Sequence, residues 1–479
     1  MTAVLDPDGL TRPGGWASPP SRPRPLRPHR LIVPSWWRDA VGSLTWASML
    51  IVVALWVSKG GVQELGTVGE GLTSLGRLLG LISADLLLIQ VLLMARIPVV
   101  ERAYGQDELA LRHRWVGFAS VTTMLIHITL LVLGYSITDH VNLVRQTWQF
   151  VVDYPGMLLA TAATLLLLLV AGTSIKRARA KLRYESWHLL HLYAYLGVGL
   201  SIPHELWTGA DFTHSTIARI YWWSLYLAAL GAILIWRVGV PLWRTYTHRM
   251  RVERVVPEGP GVVSVVIRGH RLDRLAGAGQ FLTWRFRDRD GWTRGNPYSL
   301  SAVPTRDRAR ITVKALGDNS AALARLRPGS RVMVEGPFGR LHGGVRTQRK
   351  VTLMGSGIGI TPLRALLEEF EQQPGEITLI YRASSEADLV LRTELDALAA
   401  HSGARVYYVV GPRIRGRSSW LPQSAAHLGD AEALTQLVPD IALHDVYLCG
   451  AQEWMDAAAA AARTCGVPAE RIHSERFSW

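Results

Sequence analysis

Four histidines lie in two apolar stretches of the chain, each long enough to cross a lipid bilayer. His113 and His127 are fourteen residues apart in the first stretch, and His191 and His204 are thirteen apart in the second. An imidazole inside a membrane is costly unless it has a partner. Paired neutral imidazoles are the axial ligands that hold a b-type haem. These residues are therefore predicted to bind metal, as the iron ligands of two haems.

The spacing of the histidines predicts two pairs at matching depths. At 1.5 Å per residue both separations correspond to roughly 20 Å, so His113 can face His191 and His127 can face His204. Fourteen residues bring a helix back to within about 40° of its starting face, but thirteen miss that face by about 140°. Pro203 stands directly before His204 and is expected to distort the second helix there.

Other interpretations of the polar membrane residues stay open. His188 is a poorer inner ligand, because the sixteen residues to His204 give a rise of about 24 Å. Membrane histidines also bond neighbouring helices without any ligand. Asp85, expected in the outer half of the second stretch, could serve protons or a substrate, or make only a local hydrogen bond. Arg96 and Arg114 could pair with haem propionates or simply flank the membrane.

Six apolar stretches are close to the roughly 20 residues that a helix needs to cross the hydrocarbon core. They are 41–58, 78–95, 114–134, 155–174, 187–207 and 220–240. Lys and Arg are concentrated in the connections between the second and third stretches and between the fourth and fifth. Because cytoplasmic loops carry this excess, we expect a multi-pass plasma-membrane protein with both ends of the bundle, and everything after residue 245, in the cytoplasm.

Composition narrows the class of protein. Apolar residues make up 49% of the 479 residues, and most of the long apolar runs precede residue 245. The net charge of +14 (52 basic minus 38 acidic residues) would suit nucleic acid, but the basic residues cluster beside the apolar stretches, so we expect no nucleic-acid partner. Cys449 and Cys465 provide neither a disulfide framework nor a CxxCH haem-attachment site. Residues 1–35, rich in Pro, Arg and Gly, are expected to form a disordered cytoplasmic tail.

The cytoplasmic half has two patterns. Closely spaced strands between Gly and Pro turns predict a small antiparallel barrel, and after residue 345 strands alternate with helices in a doubly wound α/β pattern. In "LMGSGIGITPLRALLEEF" glycines lie between a strand and a helix, where bare backbone can approach a pyrophosphate at a helix N-terminus. The residues concerned are Gly355, Gly357, Gly359, Thr361 and Pro362. A merely tight strand-to-helix turn is the alternative.

The motifs "NPYSLS", "GSGIGITP" and "CG…ERFSW" resemble a ferredoxin–NADP reductase-type module. With the paired histidines, the chain after about residue 40 resembles the ferric reductase and NADPH oxidase family of transmembrane flavocytochromes. This resemblance implies a multidomain protein with an α-helical six-span transmembrane bundle, an antiparallel β-barrel FAD domain and a doubly wound α/β nucleotide-binding domain. The implied boundaries are 1–35 for the tail, 36–245 for the haem domain, 246–345 for the FAD-binding barrel and 346–479 for the NAD(P)-binding domain.

The resemblance places the flavin on the strand "NPYSLS". Tyr298 would lie against the isoalloxazine, and Ser299, after Pro297, would hydrogen-bond near its N5. Asn296 stands where the family usually has Arg or His, which weakens one pyrophosphate contact, and Arg294 could replace that contact. Ordinary core packing is the alternative role for Tyr298.

Further positions follow from the same resemblance. Gly317 and Ser320 match the second flavin-phosphate loop, and 336–339 ("GPFG") matches the turn where the two cytoplasmic domains meet. Thr361, Cys449 and Gly450 would lie at the nicotinamide. A terminal aromatic, either Phe477 or Trp479, would cover the flavin. Cys449 would be a packing and positioning residue and not a nucleophile.

The choice of nicotinamide cofactor rests on arginines that follow the second and third α/β strands. Arg382 and Arg413, with Arg415 and Arg417 close behind, would suit a 2′-phosphate through paired, charge-assisted bonds. A solvated basic loop is equally consistent with them. NADPH is favoured over NADH only by these side chains.

Together these parts predict an NAD(P)H-dependent oxidoreductase that moves electrons from cytoplasmic NAD(P)H through FAD and two b-type haems to an extracytoplasmic acceptor. Such cofactors carry the redox chemistry, and the protein supplies their placement. The acceptor is expected to be a ferric or other metal chelate, dioxygen, or a quinone or partner protein. A membrane-anchored flavin reductase with structural histidines and a nucleotide-regulated proton channel are the alternatives. A homo-oligomer or an accessory subunit stays open.

Overall fold

The protein divides into a helical N-terminal half and a C-terminal half built on three sheets. The computed structural model describes residues 36–179, 181–182, 184–209, 215–287, 295–339, 341–370 and 372–475. The helices of the N-terminal half are α1 (Trp36–Ser58), α2 (Val68–Met94), α3 (Pro98–Tyr104), α4 (Gln106–Thr138), α5 (Leu143–Asp153), α6 (Met157–Ser174), α7 (Lys176–Arg179), α8 (Tyr184–Trp207), α9 (Thr216–Ala232) and α10 (Val240–His248).

Five helical segments are long and apolar enough to cross a membrane. They are Trp36–Ser58, Val68–Met94, Glu108–Thr138, Met157–Ser174 and Thr216–His248, the last of which joins α9 to α10 through a π-helical stretch, Ile233–Gly239. The remaining predicted stretch, 187–207, lies within α8, which has 24 residues. Its three histidines lower its hydropathy, so α8 does not meet the same criterion as the other five.

Helix α5 was not predicted as an element. Asn142 caps it by accepting a hydrogen bond from the backbone N–H of Arg145 at 2.9 Å. One side of the helix exposes large apolar side chains, namely Leu143, Val144, Trp148 and Val152. A short amphipathic helix between two apolar spans is typical of a segment that lies in the membrane interface.

The membrane helices pack in pairs. Helix α2 lies along α4, and α6 lies along α8, whereas α4 and α8 do not pack closely against each other over their described residues. A separate apolar cluster joins α1, α2 and α9, with Val52, Trp56, Leu81 and Trp222 buried at its centre. The two helices that carry the four histidines therefore face each other without closing the space between them.

Six strands follow the membrane helices and form two antiparallel sheets. They are β1 (Arg251–Gly259), β2 (Val262–Arg268), β3 (Phe281–Phe286), β4 (Asn296–Ser299), β5 (Arg308–Lys314) and β6 (Val332–Phe338). The sheet orders are β1-β2-β5 and β4-β3-β6. Isolated bridges between Arg251 and Arg331 and between Leu300 and Ile311 link the two sheets. One apolar core, which includes the fully buried Trp284, lies between them.

The last five strands form one parallel sheet, in the order β11-β10-β7-β8-β9. They are β7 (Lys350–Ser356), β8 (Ile377–Ala383), β9 (Arg405–Val410), β10 (His444–Cys449) and β11 (Ile472–Glu475), and the helices of this half are α11 (Asp318–Ala321), α12 (Ile360–Glu369), α13 (Arg392–Ser402), α14 (Asp430–Leu437) and α15 (Gln452–Thr464). From β7 the chain continues to β8 and β9 on one side of the sheet, and it later returns to form β10 and β11 on the other side of β7. Ligands of such sheets bind at the carboxyl ends of the strands, where the order reverses. The predicted α/β architecture is confirmed.

Candidate functional site

The inner pair of histidines faces across the space between α4 and α8. The ring centroids of His113 and His191 are 5.8 Å apart, and their planes are inclined at 65°. Imidazole nitrogens bind a metal at about 2.0–2.1 Å, so two nitrogens on opposite sides of one ion are roughly 4 Å apart. A metal-bound pair would have its ring centroids slightly farther apart than the observed 5.8 Å. His113 and His191 are thus the two side chains that would hold one metal ion between α4 and α8, after a small separation of the two rings.

All four histidines are held through Nδ1. The partners are the backbone carbonyl of Gln90 for His113 (3.3 Å), the backbone carbonyl of Gly76 for His127 (2.7 Å), Ser174 Oγ for His191 (3.3 Å) and Thr208 Oγ1 for His204 (2.7 Å). Both hydroxyls already donate their own proton to a backbone carbonyl, so they accept from the imidazoles. These partners assign the Nδ1–H tautomer and leave each Nε2 lone pair available for a metal.

The backbones of two neighbouring helices closely approach the outer histidines, His127 and His204. A Cβ on Gly80 would fall 2.5 Å from His127 Nδ1, and a Cβ on Gly156, where φ is +81°, would fall 2.9 Å from the backbone nitrogen of His204. Helix α8 continues through Pro203 to Trp207. Glycine at positions 80 and 156 therefore lets α2 and α6 approach the two histidines.

The predicted flavin strand, β4, holds two buried polar atoms without a hydrogen-bond partner among the described residues. They are Asn296 Nδ2 and Ser299 Oγ, and Ser299 is only 6% exposed. Tyr298, which follows Pro297, packs against the core of the two antiparallel sheets, and its carbonyl accepts from Trp284 Nε1 at 2.9 Å. Burying an unsatisfied polar atom is costly. These atoms therefore fit a polar ligand on β4.

The remaining predicted flavin positions are placed differently. Ser320 Oγ accepts from the backbone N–H groups of Leu316 and Gly317, at 2.9 and 3.0 Å, so the loop closes on itself. At the end of β6, Gly339 has φ +96° and lies against the Glu475 carboxylate of β11, so the 336–339 turn touches the α/β half. Arg294, Phe477 and Trp479 lie outside the described residues.

The glycine turn after β7 lies beside the end of β10. Gly357 has φ +55° and open space around its missing side chain, while a Cβ on Gly359 would fall 2.3 Å from the carbonyl oxygen of Cys449. Helix α12 follows, and near its start Thr361 Oγ1 donates to the carbonyl of Ile358 at 3.0 Å. The side chains of Thr361 and Pro362 are buried at the same point, where the strand order reverses. The backbone of Gly355 packs there too, as does Gly450, where an added Cβ would meet Ser356. The structure therefore brings the predicted nucleotide residues together.

Arg382 is not part of a solvated loop. It is 4% exposed, and its guanidinium donates to the carbonyls of Ala383, of Val409 at 3.3 Å and of Pro412 at 3.1 Å. The side chain therefore stabilises the segment after β9 through these hydrogen bonds. Arg413 is the residue after Pro412 and is exposed.

Sequence reasoning missed a buried ionic network between strand β5 and helices α12 and α13. Arg310 of β5 donates to both carboxylate oxygens of Glu394 on α13, at 2.7 and 2.8 Å, and Arg364 of α12 contacts the same carboxylate at 2.9 Å. Both arginines are 3% exposed. The signal for this network in the sequence is Arg310, an arginine at a strand position that faces the core.

Comparisons with known proteins identify two of these regions. Residues 79–202 match the family model of the ferric reductase like transmembrane component, and residues 353–460 match the oxidoreductase NAD-binding domain. The chain therefore contains a ferric reductase-like transmembrane region and an NAD-binding domain of the oxidoreductase type. The first match contains all but one of the predicted haem ligands, since His204 lies two residues past its end.

Curated relatives of this oxidoreductase are flavoprotein reductases and related proteins. The ferredoxin reductase component of 3-ketosteroid-9-alpha-monooxygenase from Rhodococcus rhodochrous is 30% identical over 242 residues, which cover 48% of this chain and 64% of the relative. The flavohemoprotein of Bacillus subtilis (strain 168) is 29% identical over 205 residues, which cover 42% of this chain and 51% of the relative. The chain thus spans between about half and two thirds of the length of these relatives.

A solved structure aligns with about half of this chain. The flavohem-like FAD/NAD binding domain of nitric oxide dioxygenase from Vibrio cholerae O1 biovar El Tor aligns over 47% of this chain and 97% of its own, with 23% identity and a TM-score of 0.37. The function of the oxidoreductase is argued below from the sequence matches and from its own geometry.

We expect Gly359→Ala to disrupt the nucleotide turn of the oxidoreductase. Its methyl group would overlap the Cys449 carbonyl, and overpacking of this kind costs about 1–3 kcal/mol. Thermal unfolding and the KM for NADPH measure the effect. Gly429→Ala is the matched control in the same half, since its Cβ would make only ordinary contacts at 3.7 Å or more. Equal behaviour of the two variants would contradict the close approach.

We expect Cys449 to resist alkylation in the folded oxidoreductase. Burial, followed by the nearby charge of Glu475, raises the pKa of the Cys449 thiol well above its ordinary value. The thiolate is the reactive form, so iodoacetamide at neutral pH should label the partly exposed Cys465 first, and Cys449 only after unfolding. Mass spectrometry of the two peptides distinguishes them. Native labelling of Cys449 at the rate of Cys465 would disprove its inert packing role.

Proposed function

We propose that this oxidoreductase carries electrons from cytoplasmic NAD(P)H, through FAD and two b-type haems, to an extracytoplasmic acceptor. The observation that carries the proposal is the common arrangement of the four histidines, each bonded through Nδ1 with Nε2 left free for iron. Bound nicotinamide, flavin and haem would supply hydride and single-electron chemistry. The protein's own residues bind these groups, orient them and exclude water.

In this proposal the haem domain spans residues 36–245 and crosses the plasma membrane six times. Helix α8 is the fifth span in chain order, and the histidines that it carries account for its low hydropathy. Carbonyls of α2, the Ser174 hydroxyl of α6 and the Thr208 hydroxyl just after α8 hold the imidazole rings in place. The excess of Lys and Arg in the connections before α4 and before α8 argues for a cytoplasmic C-terminal half.

The FAD domain in this proposal spans residues 246–345, with the six antiparallel strands acting as one barrel through their two bridges. Asn296 Nδ2 and Ser299 Oγ are the polar atoms offered to the flavin, and Tyr298 is the aromatic surface beside them. Arg294 and Phe477 keep the roles that the family resemblance implies. Ser320 Oγ already accepts from the N–H of Gly317 and from that of Leu316, so this loop would have to release these N–H groups to bind a phosphate.

The NAD(P) domain in this proposal spans residues 346–479. The start of α12, a ten-residue helix, offers backbone N–H groups and a favourable dipole to a pyrophosphate. Arg413 is the proposed contact for a 2′-phosphate, because Arg382 is already bonded to three carbonyls. NADPH is therefore the proposed donor, and a ferric chelate or dioxygen is the proposed acceptor.

Steady-state oxidation of NADPH and of NADH, each supplied separately, tests the proposal in the detergent-purified protein. Ferric chelate and oxygen are offered as acceptors, with superoxide dismutase present because free superoxide itself reduces ferric iron. We expect faster turnover with NADPH and ferric reduction that survives the dismutase. If neither nicotinamide cofactor is oxidised with either acceptor, the proposal is wrong.

A further inference from the structure

Asp85 of α2 is a carboxyl group buried inside the membrane bundle. It is 0% exposed and lies in the apolar cluster that joins α1, α2 and α9. Its Oδ1 accepts hydrogen bonds from Ser48 Oγ at 2.7 Å and from the Tyr221 hydroxyl at 2.9 Å. Its Oδ2 is buried and has no partner among the described residues. The two oxygens of one carboxyl group therefore have opposite environments.

The depth of Asp85 can be measured along α2 from the carbonyls that hold the histidines. It lies five residues from Gln90, which binds His113, and nine residues from Gly76, which binds His127. At 1.5 Å per residue these separations are about 7.5 and 13.5 Å. Along α2, Asp85 therefore lies between the two histidine pairs and nearer the inner one.

The charge state of Asp85 is balanced between two influences. An ionised carboxylate with a bare oxygen in apolar surroundings is strongly disfavoured, which favours a proton on Oδ2. The two hydroxyl donors on Oδ1 favour the charged form. A negative charge held at either histidine pair would strengthen the hold on that proton, because charges interact more strongly in a low-dielectric interior.

The other titratable groups near this part of α2 are engaged elsewhere. From α1 the group facing Asp85 is the Ser48 hydroxyl, and from α9 it is the Tyr221 hydroxyl. Helix α4 presents the two imidazoles already bonded to α2. In the short segment before α2, Glu64 pairs with Arg77 at 2.7 Å. Asp85 is thus the acid on α2 whose protonation would respond to charge at the inner and at the outer histidine pair.

We propose that Asp85 is a redox-linked proton site, which binds a proton on Oδ2 as electrons enter the two haems and releases it as they leave. This inference rests on the proposed function, because it requires haems at both histidine pairs. The electron comes from NAD(P)H, the proton comes from water, and the carboxylate becomes a carboxylic acid without any bond to the haem. Reduction is then accompanied by partial charge compensation inside the membrane.

The test is a spectroelectrochemical titration of the haems in the purified holoprotein at several pH values. In the wild type we expect midpoint potentials that fall as pH rises, by at most about 59 mV per pH unit for a one-electron couple. Asp85→Asn should lose that part of the slope. Ser83→Ala is the matched control, because Ser83 is also buried on α2 but donates to the carbonyl of Ser120. It should keep the wild-type slope.

A second variant covers the case in which Asp85→Asn fails to fold. Tyr221→Phe removes one donor to Oδ1 and leaves the carboxyl group, so the pH-dependent region should move to higher pH. The inference is overturned if the folded Asp85→Asn protein keeps the wild-type slope, or if Tyr221→Phe leaves the region unmoved. A purified protein without haem bands would instead refute the proposed function, before any titration.

Discussion

His191→Leu is expected to remove the inner haem and to stop electron transfer to the acceptor, while reduction of the flavin by NADPH continues. The ring of His191 faces His113 at 5.8 Å and is held through Nδ1 by Ser174, so leucine deletes one of the two side chains proposed to hold the inner haem. Haem content should fall by about half, and acceptor turnover should fall to the background rate. Pyridine haemochrome assay and stopped-flow flavin reduction measure the two quantities separately.

His188→Leu is the matched control on the same helix. His188 lies next to Trp187, and its separation from His204 suits an inner ligand less well. This variant should keep both haems and most of the turnover. If His188→Leu lost the haem and His191→Leu kept it, the inner ligand would be assigned to the wrong residue.

Glu394→Gln is expected to destabilise the C-terminal half strongly. Arg310 and Arg364 share this carboxylate, and both guanidinium groups are nearly inaccessible to solvent. Removing one partner of a buried ionic network costs about 3–5 kcal/mol, because Arg310 loses its carboxylate while Arg364 keeps only its pair with Glu368. Since the Glu394 side chain is 32% exposed, we expect the lower end of that range. Thermal unfolding of the full chain, followed by flavin release, measures the loss.

Glu386→Gln is the control for that measurement. Glu386 also pairs with an arginine, Arg392 at 2.6 Å, but its side chain is 67% exposed. Exposed ion pairs contribute about 0–1 kcal/mol. Similar losses in the two variants would show that burial of the network is not what makes it stabilising.

The same network predicts an acid-side dependence of stability. Burial tends to raise the pKa of Glu394, but the hydrogen bonds and charge of Arg310, followed by those of Arg364, outweigh it and lower the pKa below its ordinary value. A carboxylate with a lowered pKa stabilises the fold above its unfolded-state pKa and loses that contribution as pH falls through its folded-state pKa. The wild type should therefore lose stability in acid more steeply than Glu394→Gln.

Much of the architecture could be predicted because it follows from periodicity and length. The six apolar stretches all lie mainly within helices, and the alternation after residue 345 gives the parallel sheet. Helix α5 was missed because its apolar side chains are spaced among polar ones, as an interfacial helix requires. Helix α2 begins at Val68, before the predicted 78, because Thr67 caps a polar first turn that a hydropathy criterion leaves out.

The candidate site was predictable only as far as residue types and helical rise extend. Matching heights paired the histidines, but the atoms that orient the inner ring of His113 and the outer ring of His127 are backbone carbonyls of α2, which carry no sequence signal. The burial of Arg382 likewise depends on carbonyls from a neighbouring strand and the segment beyond it.

The absorption spectrum of the purified full-length protein, before and after anaerobic addition of NADPH, tests the central claim most directly. We predict two b-type haems per chain, with split α and Soret bands that shift when NADPH is added. A folded sample that shows only the yellow of its flavin, even when haem precursor was supplied during expression, would contradict the assignment of the four histidines.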